Sequence, residues 1–271
     1  MDTDAVLQRN NVRVLGRSSG PALVLVQGFG CDQVIWDRIL PDLTKDFKVV
    51  LLDHVGTGGS RAEAYDPVRY SSLDRYRNDL VEVLDALELQ DAAVLGHTIA
   101  GAMALAATLV TPRIGRLILL GTSPRYLNDD GYAGGFEPED LESVIDSLEA
   151  NYPLWAASVA PGVTGAAAGS ALSSELTERL CRLHPDYVRD FLRVSFTADV
   201  RQLLPQVRVP SLILQTGADP LTPQGASRYL HEHLAGSAFQ ELDARGSMPH
   251  LNSPRTTAAA ILEYLGQGPR G

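Results

Sequence analysis

The sequence predicts an α/β fold built on a mostly parallel, doubly wound sheet, and three observations point there. Short apolar, β-branched runs alternate with longer segments whose apolar residues recur at helical spacing. The short runs are apolar at nearly every position rather than every second one, as strands covered on both faces are. One region, residues 131–200, carries helical patterns and no convincing strand, so helices interrupt the alternation.

Taken in order, residues 22–26 (ALVLV), 49–52 (VVLL), 92–95 (AAVL), 117–120 (LILL) and 211–214 (SLIL) read as buried parallel strands. Residues 73–89 place Leu80, Val83, Leu84 and Leu87 on one helical face with charges opposite. Residues 98–110 form an alanine-rich helix suited to close packing on a sheet. Further helices are expected at 137–150, 153–159, 173–183 and 185–196, with 161–170 (PGVTGAAAGS) as a flexible joint among them. The last stretch, 266–271 (GQGPRG), reads as a frayed tail. The expected organisation is a core of residues 1–130 and 201–271 with a four-helix lid at 131–200.

Composition narrows the partners. The chain has 271 residues, 45% hydrophobic and 21% charged, the balance of a globular protein. A net charge of −10 argues against nucleic acid or an anionic membrane, which select a basic face. Two cysteines, Cys31 and Cys181, are too few for a disulfide framework and suit a reducing cytosol. Cys31 lies in a glycine-rich loop, where a buried, inert thiol is the commoner case. The N-terminus MDTDAVLQRN lacks the basic-then-apolar pattern of a signal peptide, and no apolar run approaches the roughly 20 residues of a membrane span. A cytoplasmic location is expected. No His/Cys/Asp cluster has metal-ligand spacing, and no cofactor is expected.

In a doubly wound sheet, ligands bind outside the carboxyl ends of the strands, so the residues following each strand carry the chemistry. After 92–95 comes Gly96-His97-Thr98-Ile99-Ala100, close to the G-x-S-x-G turn that exposes a nucleophile, with threonine for serine and alanine for the last glycine. After 22–26 come Gln27, Gly28, Phe29, Gly30 and Cys31, a loop whose backbone N–H groups face a pocket. Phe29 and Ile99 are the expected oxyanion donors. After 49–52, the glycine loop at 53–60 lacks the lysine of a phosphate loop and reads as a structural turn. After 211–214 comes Asp219, placed where a histidine-orienting carboxylate would stand, although an Asp before Pro is more often a turn residue. The segment 244–254 (ARGSMPHLNSP) puts Ser247 directly after a glycine and His250 three residues later.

These stretches, together with GFGCDQVIW (28–36), AYDPVRYSSLDRY (64–76) and SPRYLNDDGYAGGF (123–136), resemble the α/β-hydrolase superfamily. Within it the chain is similar to the RsbQ-type bacterial stress-signalling hydrolases and the strigolactone and karrikin receptor hydrolases of plants. The resemblance implies an α/β-hydrolase fold with the four-helix lid inserted between the sixth and seventh strands of that family's count. It implies a Ser-Asp-His triad over a deep apolar pocket. Position by position, Thr98 takes the nucleophile's place, Asp219 the acid's and Ser247 the histidine's. Threonine keeps a hydroxyl but crowds the attack path with its methyl. A serine at 247 takes no proton near neutral pH, and general acid–base help is worth about 10²–10⁴-fold.

Among other histidines, His250 is the best substitute base of a weak set. His97 is expected to point away from Thr98, His54 lies farther off, and His184 sits in the lid. The pocket is expected to involve Gln27, Gly28, Cys31, His97, Tyr126, Trp155, Phe191 and Phe196, with Tyr132 and Phe136 nearby. The sequence thus suggests a binder of a small hydrophobic molecule that performs cofactor-free, non-hydrolytic chemistry: cyclisation, isomerisation or elimination. Alternatives are a ligand-sensing signalling module of RsbQ type with a protein partner, or a weak esterase or lactonase using Thr98.

Overall fold

A computed structural model describes residues 2–266. Seven strands form one sheet in the order β1-β3-β2-β4-β5-β6-β7. They are β1 (Arg13–Gly16), β2 (Ala22–Val26), β3 (Lys48–Leu51), β4 (Ala92–His97), β5 (Ile114–Leu120), β6 (Ser211–Ala218) and β7 (Ser237–Arg245). Only β1 runs antiparallel, against β3; every other pair is parallel. All five expected strands are present. The two additional strands lie at the sheet's edges, where exposure erases the continuous apolar signature: β1 is mostly exposed and β7 mixes polar with apolar residues.

The helices are α1 (Thr3–Arg9), α2 (Leu40–Leu43), α3 (Leu73–Ala86), α4 (Ile99–Ala107), α5 (Pro138–Ala150), α6 (Tyr152–Thr164), α7 (Ala171–Cys181), α8 (Pro185–Thr197), α9 (Gln224–His233), α10 (Pro249–Asn252) and α11 (Pro254–Gly266). Four of them, α5 to α8, follow one another between β5 and β6. In α3 the buried positions Tyr76, Asp79, Leu80, Val83 and Leu84 repeat at three and four residues, so one stripe faces inward. Asp79 survives burial because Arg75, Arg9 and the Tyr70 hydroxyl bind its carboxylate. Helix α4 is buried all round, which its run of small residues permits.

The joint expected at 161–170 is half wrong. Residues 161–164 continue α6 despite Pro161, and the helix stops at Gly165, which is left-handed with φ +66°. The apolar face that α6 presents inward outweighs the proline. At the C-terminus α11 runs through Gly266; the remainder of the stretch read as a tail lies outside the described residues. Among the described residues, no helix is long and apolar enough to cross a membrane.

The topology decides where chemistry gathers. From β2 the chain leaves to β3 on one side, then returns to place β4 on β2's other side. The loops after β2 and β4 therefore diverge in direction, leaving a crevice at their carboxyl ends.

Candidate active site

Thr98 sits at that crevice, between β4 and α4, with φ 51° and ψ −119°. A β-branched residue at positive φ is a genuine outlier, costing on the order of 1–3 kcal/mol, and such strain gathers at functional sites. The turn is tight enough that a Cβ at Gly96 would lie 2.5 Å from the Ala100 oxygen and the Gly101 nitrogen. The turn lifts the Thr98 hydroxyl toward the β2 loop, where a Cβ at Gly28 would lie 2.0 Å from Thr98 Oγ1. Neither the Phe29 nor the Ile99 N–H donates to a backbone carbonyl, and Ile99 opens α4, so the helix's partial positive charge adds there.

Gly28→Ala is accordingly expected to destabilise the protein by about 1–3 kcal/mol through overpacking against the short Thr98 side chain. The urea midpoint reads this; an unchanged midpoint would mean that Thr98 turns aside freely.

Asp219 stands just beyond β6. Its Oδ1 accepts from the N–H groups of Leu221 (2.9 Å) and Thr222 (3.1 Å) and from the Ser247 hydroxyl at 2.5 Å. Its Oδ2 is buried with no partner. Burial raises the carboxyl above its ordinary range, against the pull of those three donors. Ser247 is fully buried, and its side chain is committed to the carboxylate.

Of the histidines, none hydrogen-bonds to Thr98 or to Asp219. His97 does not simply point away: it lines the cavity, and its Nδ1 lies 3.0 Å from the same Gly28 Cβ position that Thr98 approaches. Its Nε2–H donates to the Ser247 carbonyl at 2.7 Å, which fixes the tautomer and leaves Nδ1 a bare acceptor. Burial pulls its pKa down to about 4, against the raising effect of that hydrogen bond. His250 is unsuited to the role of substitute base: it is fully buried, with both ring nitrogens unpartnered, and packs 4.7 Å from both Trp36 and His97. His54 donates Nε2–H to the Gln27 carbonyl, and His184 caps α8 at the surface.

A cavity of about 340 Å³ opens above Thr98. Of the residues expected in the pocket, His97, Tyr126, Trp155 and Phe196 are among its lining, together with Phe136 and the two expected oxyanion donors, Phe29 and Ile99. Four expected residues are not. Gln27 and Cys31 are sealed in the core, and burial pushes the Cys31 thiol up to about 12, so it is unreactive. Gly28 packs closely against Thr98 but is not among the lining residues. Phe191 instead stacks on Tyr76 at 4.5 Å within a buried aromatic cluster that includes His54 and Tyr187. Tyr132 also lies off the cavity, packed on Tyr229.

Sequence reading missed much of the cavity wall. Helix α6 supplies Trp155, Ser158, Val159, Gly162 and Val163, a three-and-four spacing that marks one face. That spacing runs on into 161–163, where the proline and glycine of PGVTGAAAGS read as a joint in the sequence. Met248, adjacent to Ser247, carried no such signal. Among the described residues, no charged side chain lines the cavity.

A nucleophile-elbow turn, a glycine loop facing it and a carboxylate after β6 define a member of a hydrolase class. The chain belongs to the α/β-hydrolase family: the family model for the alpha/beta hydrolase fold matches residues 21–254. Two curated relatives are Strigolactone esterase RMS3 of Pisum sativum, 39% identical over 97% of this chain and 98% of that one, and Karrikin insensitive 2 receptor CA of Petunia hybrida, 34% identical over 96% and 97%. A hydrolase from Oleispira antarctica of known structure superposes with a TM-score of 0.94 at 33% identity, covering 99% of this chain and 98% of that one.

Proposed function

We propose that this protein binds a small, uncharged, largely apolar molecule and converts it without a cofactor by non-hydrolytic chemistry, such as cyclisation, isomerisation or elimination. The observation that carries this is the Ser247–Asp219 hydrogen bond. The carboxylate that would orient a histidine is occupied by a hydroxyl, and no imidazole is hydrogen-bonded to Thr98 among the described residues. The Phe29 and Ile99 N–H groups form the oxyanion hole, α5 to α8 act as the lid, and positioning does the remaining work. The lining without charged side chains favours a ligand that enters uncharged. Thr98 and Asp219 persist as cavity-shaping and polarising groups.

The test is incubation with p-nitrophenyl acetate followed by intact-mass measurement. No burst and no acyl adduct at Thr98 are expected. A stoichiometric burst with an adduct on Thr98 would return the esterase reading. A second reading, a ligand-sensing module that docks a partner protein, draws support from relatives named as receptors. It calls for a ligand-dependent complex in which the ligand is recovered unchanged.

A further inference from the structure

The polar groups lining the cavity separate by what they are already bonded to. Ser158 and Ser195 donate to carbonyls of their own helices, Trp155 and Phe191. His97 spends its only N–H on Ser247. Trp155 keeps a buried, unpartnered indole nitrogen in α6. Beside Thr98 there remains one further hydroxyl, that of Tyr126.

Tyr126 is held rigidly. Its ring stacks on Phe196 of α8 at 5.6 Å, and its backbone carbonyl accepts from the Phe136 N–H at 3.2 Å. Tyr126 lines the cavity together with Thr98. Among the described residues no carbonyl or carboxylate holds the Tyr126 O–H, so it is left to donate into the cavity that Thr98, Phe29 and Ile99 also line.

We infer that Tyr126 is the third donor of the oxyanion site and that the ligand class is an apolar, enolisable carbonyl compound. Its enolate oxygen lodges among the Tyr126 hydroxyl and the Phe29 and Ile99 amides. This rests on the preceding reading that the pocket takes a small apolar molecule. The chemistry follows from what the floor offers. Donors and a helix N-terminus reward a charge that appears only once the neutral ligand is inside, and the cavity wall holds no cation to bind a permanent anion. Burial, with the Asp219 charge adding to it, keeps the phenol protonated, so Tyr126 donates and does not act as a base.

The probe is benzoylacetone, whose enolate absorbs at longer wavelength than its neutral form. Bound to the unmodified protein at neutral pH, it is expected to show an enolate fraction roughly tenfold to a hundredfold above that in buffer, the proton leaving to bulk water. Tyr126→Phe keeps the stack on Phe196 and is expected to lose most of that gain, and to lose more affinity for benzoylacetone than for butyrophenone, which ionises far less readily. An enolate band in Tyr126→Phe equal to that of the parent, or none in the parent, overturns the inference. Should the Phe variant fold poorly, 3-fluorotyrosine at position 126 is the second arm: a more acidic phenol is expected to raise the enolate fraction, and no rise overturns the inference. An acyl adduct at Thr98 would defeat the non-hydrolytic reading while leaving this result intact.

Discussion

Replacing Ser247 with histidine is expected to switch on ester hydrolysis, raising p-nitrophenyl acetate turnover by about 10²–10⁴-fold, the usual worth of general acid–base help. The geometry is ready for it. The Ser247 backbone is pinned by the His97 N–H on its carbonyl and by its own N–H donating to Val163 at 2.8 Å. Its side chain already aims at Asp219, and the unpartnered Asp219 Oδ2 is a further acceptor for an imidazole N–H. An imidazole there would bridge the carboxylate and Thr98. Adding Thr98→Ser removes the methyl that crowds attack and should raise turnover further. Steady-state rates on the two variants check this. A folded Ser247→His protein with no gain would mean that the site has lost more than its base.

The central fold was legible because its strands are continuous apolar runs, and burial on both faces imposes that pattern directly. The edges were not. β1 and β7 satisfy their hydrogen bonds on one side only and tolerate polar residues, so their sequences resemble loops. Thr98, Asp219 and Ser247 could be found by their positions after strands, which topology converts into proximity. Side-chain direction was harder. His250 stands three residues from Ser247, yet α10 carries it into the core against Trp36, while His97 lines the cavity despite its place beside Thr98. The cavity wall was least legible. Which helical face looks inward depends on how α5 to α8 pack, and Phe191 and Phe196, both on α8, end on different surfaces.

Acidification is expected to unfold this protein from a pH well above that of ordinary carboxylate titration. His54, His97 and His250 are buried, and burial lowers the pKa of each below the ordinary histidine value. A histidine with a folded pKa below its unfolded value binds fewer protons folded than unfolded in the window between them. Stability therefore falls as pH drops from about 6.5 toward 4. His97, with its pKa near 4, accounts for about 3 kcal/mol of this loss on its own, and His54 and His250 act with the same sign. Asp79 and Asp219, raised by burial, act in the opposite direction. The Arg-bound carboxylates of Glu82 and Asp199 add a loss only at lower pH. Urea unfolding at closely spaced pH values measures the slope, which reports the number of protons taken up on unfolding. A flat or inverted profile between pH 6.5 and 4.5 would show that the three imidazoles find acceptors when charged. His97→Asn, whose amide replaces the donor to the Ser247 carbonyl, should flatten the slope by about one proton.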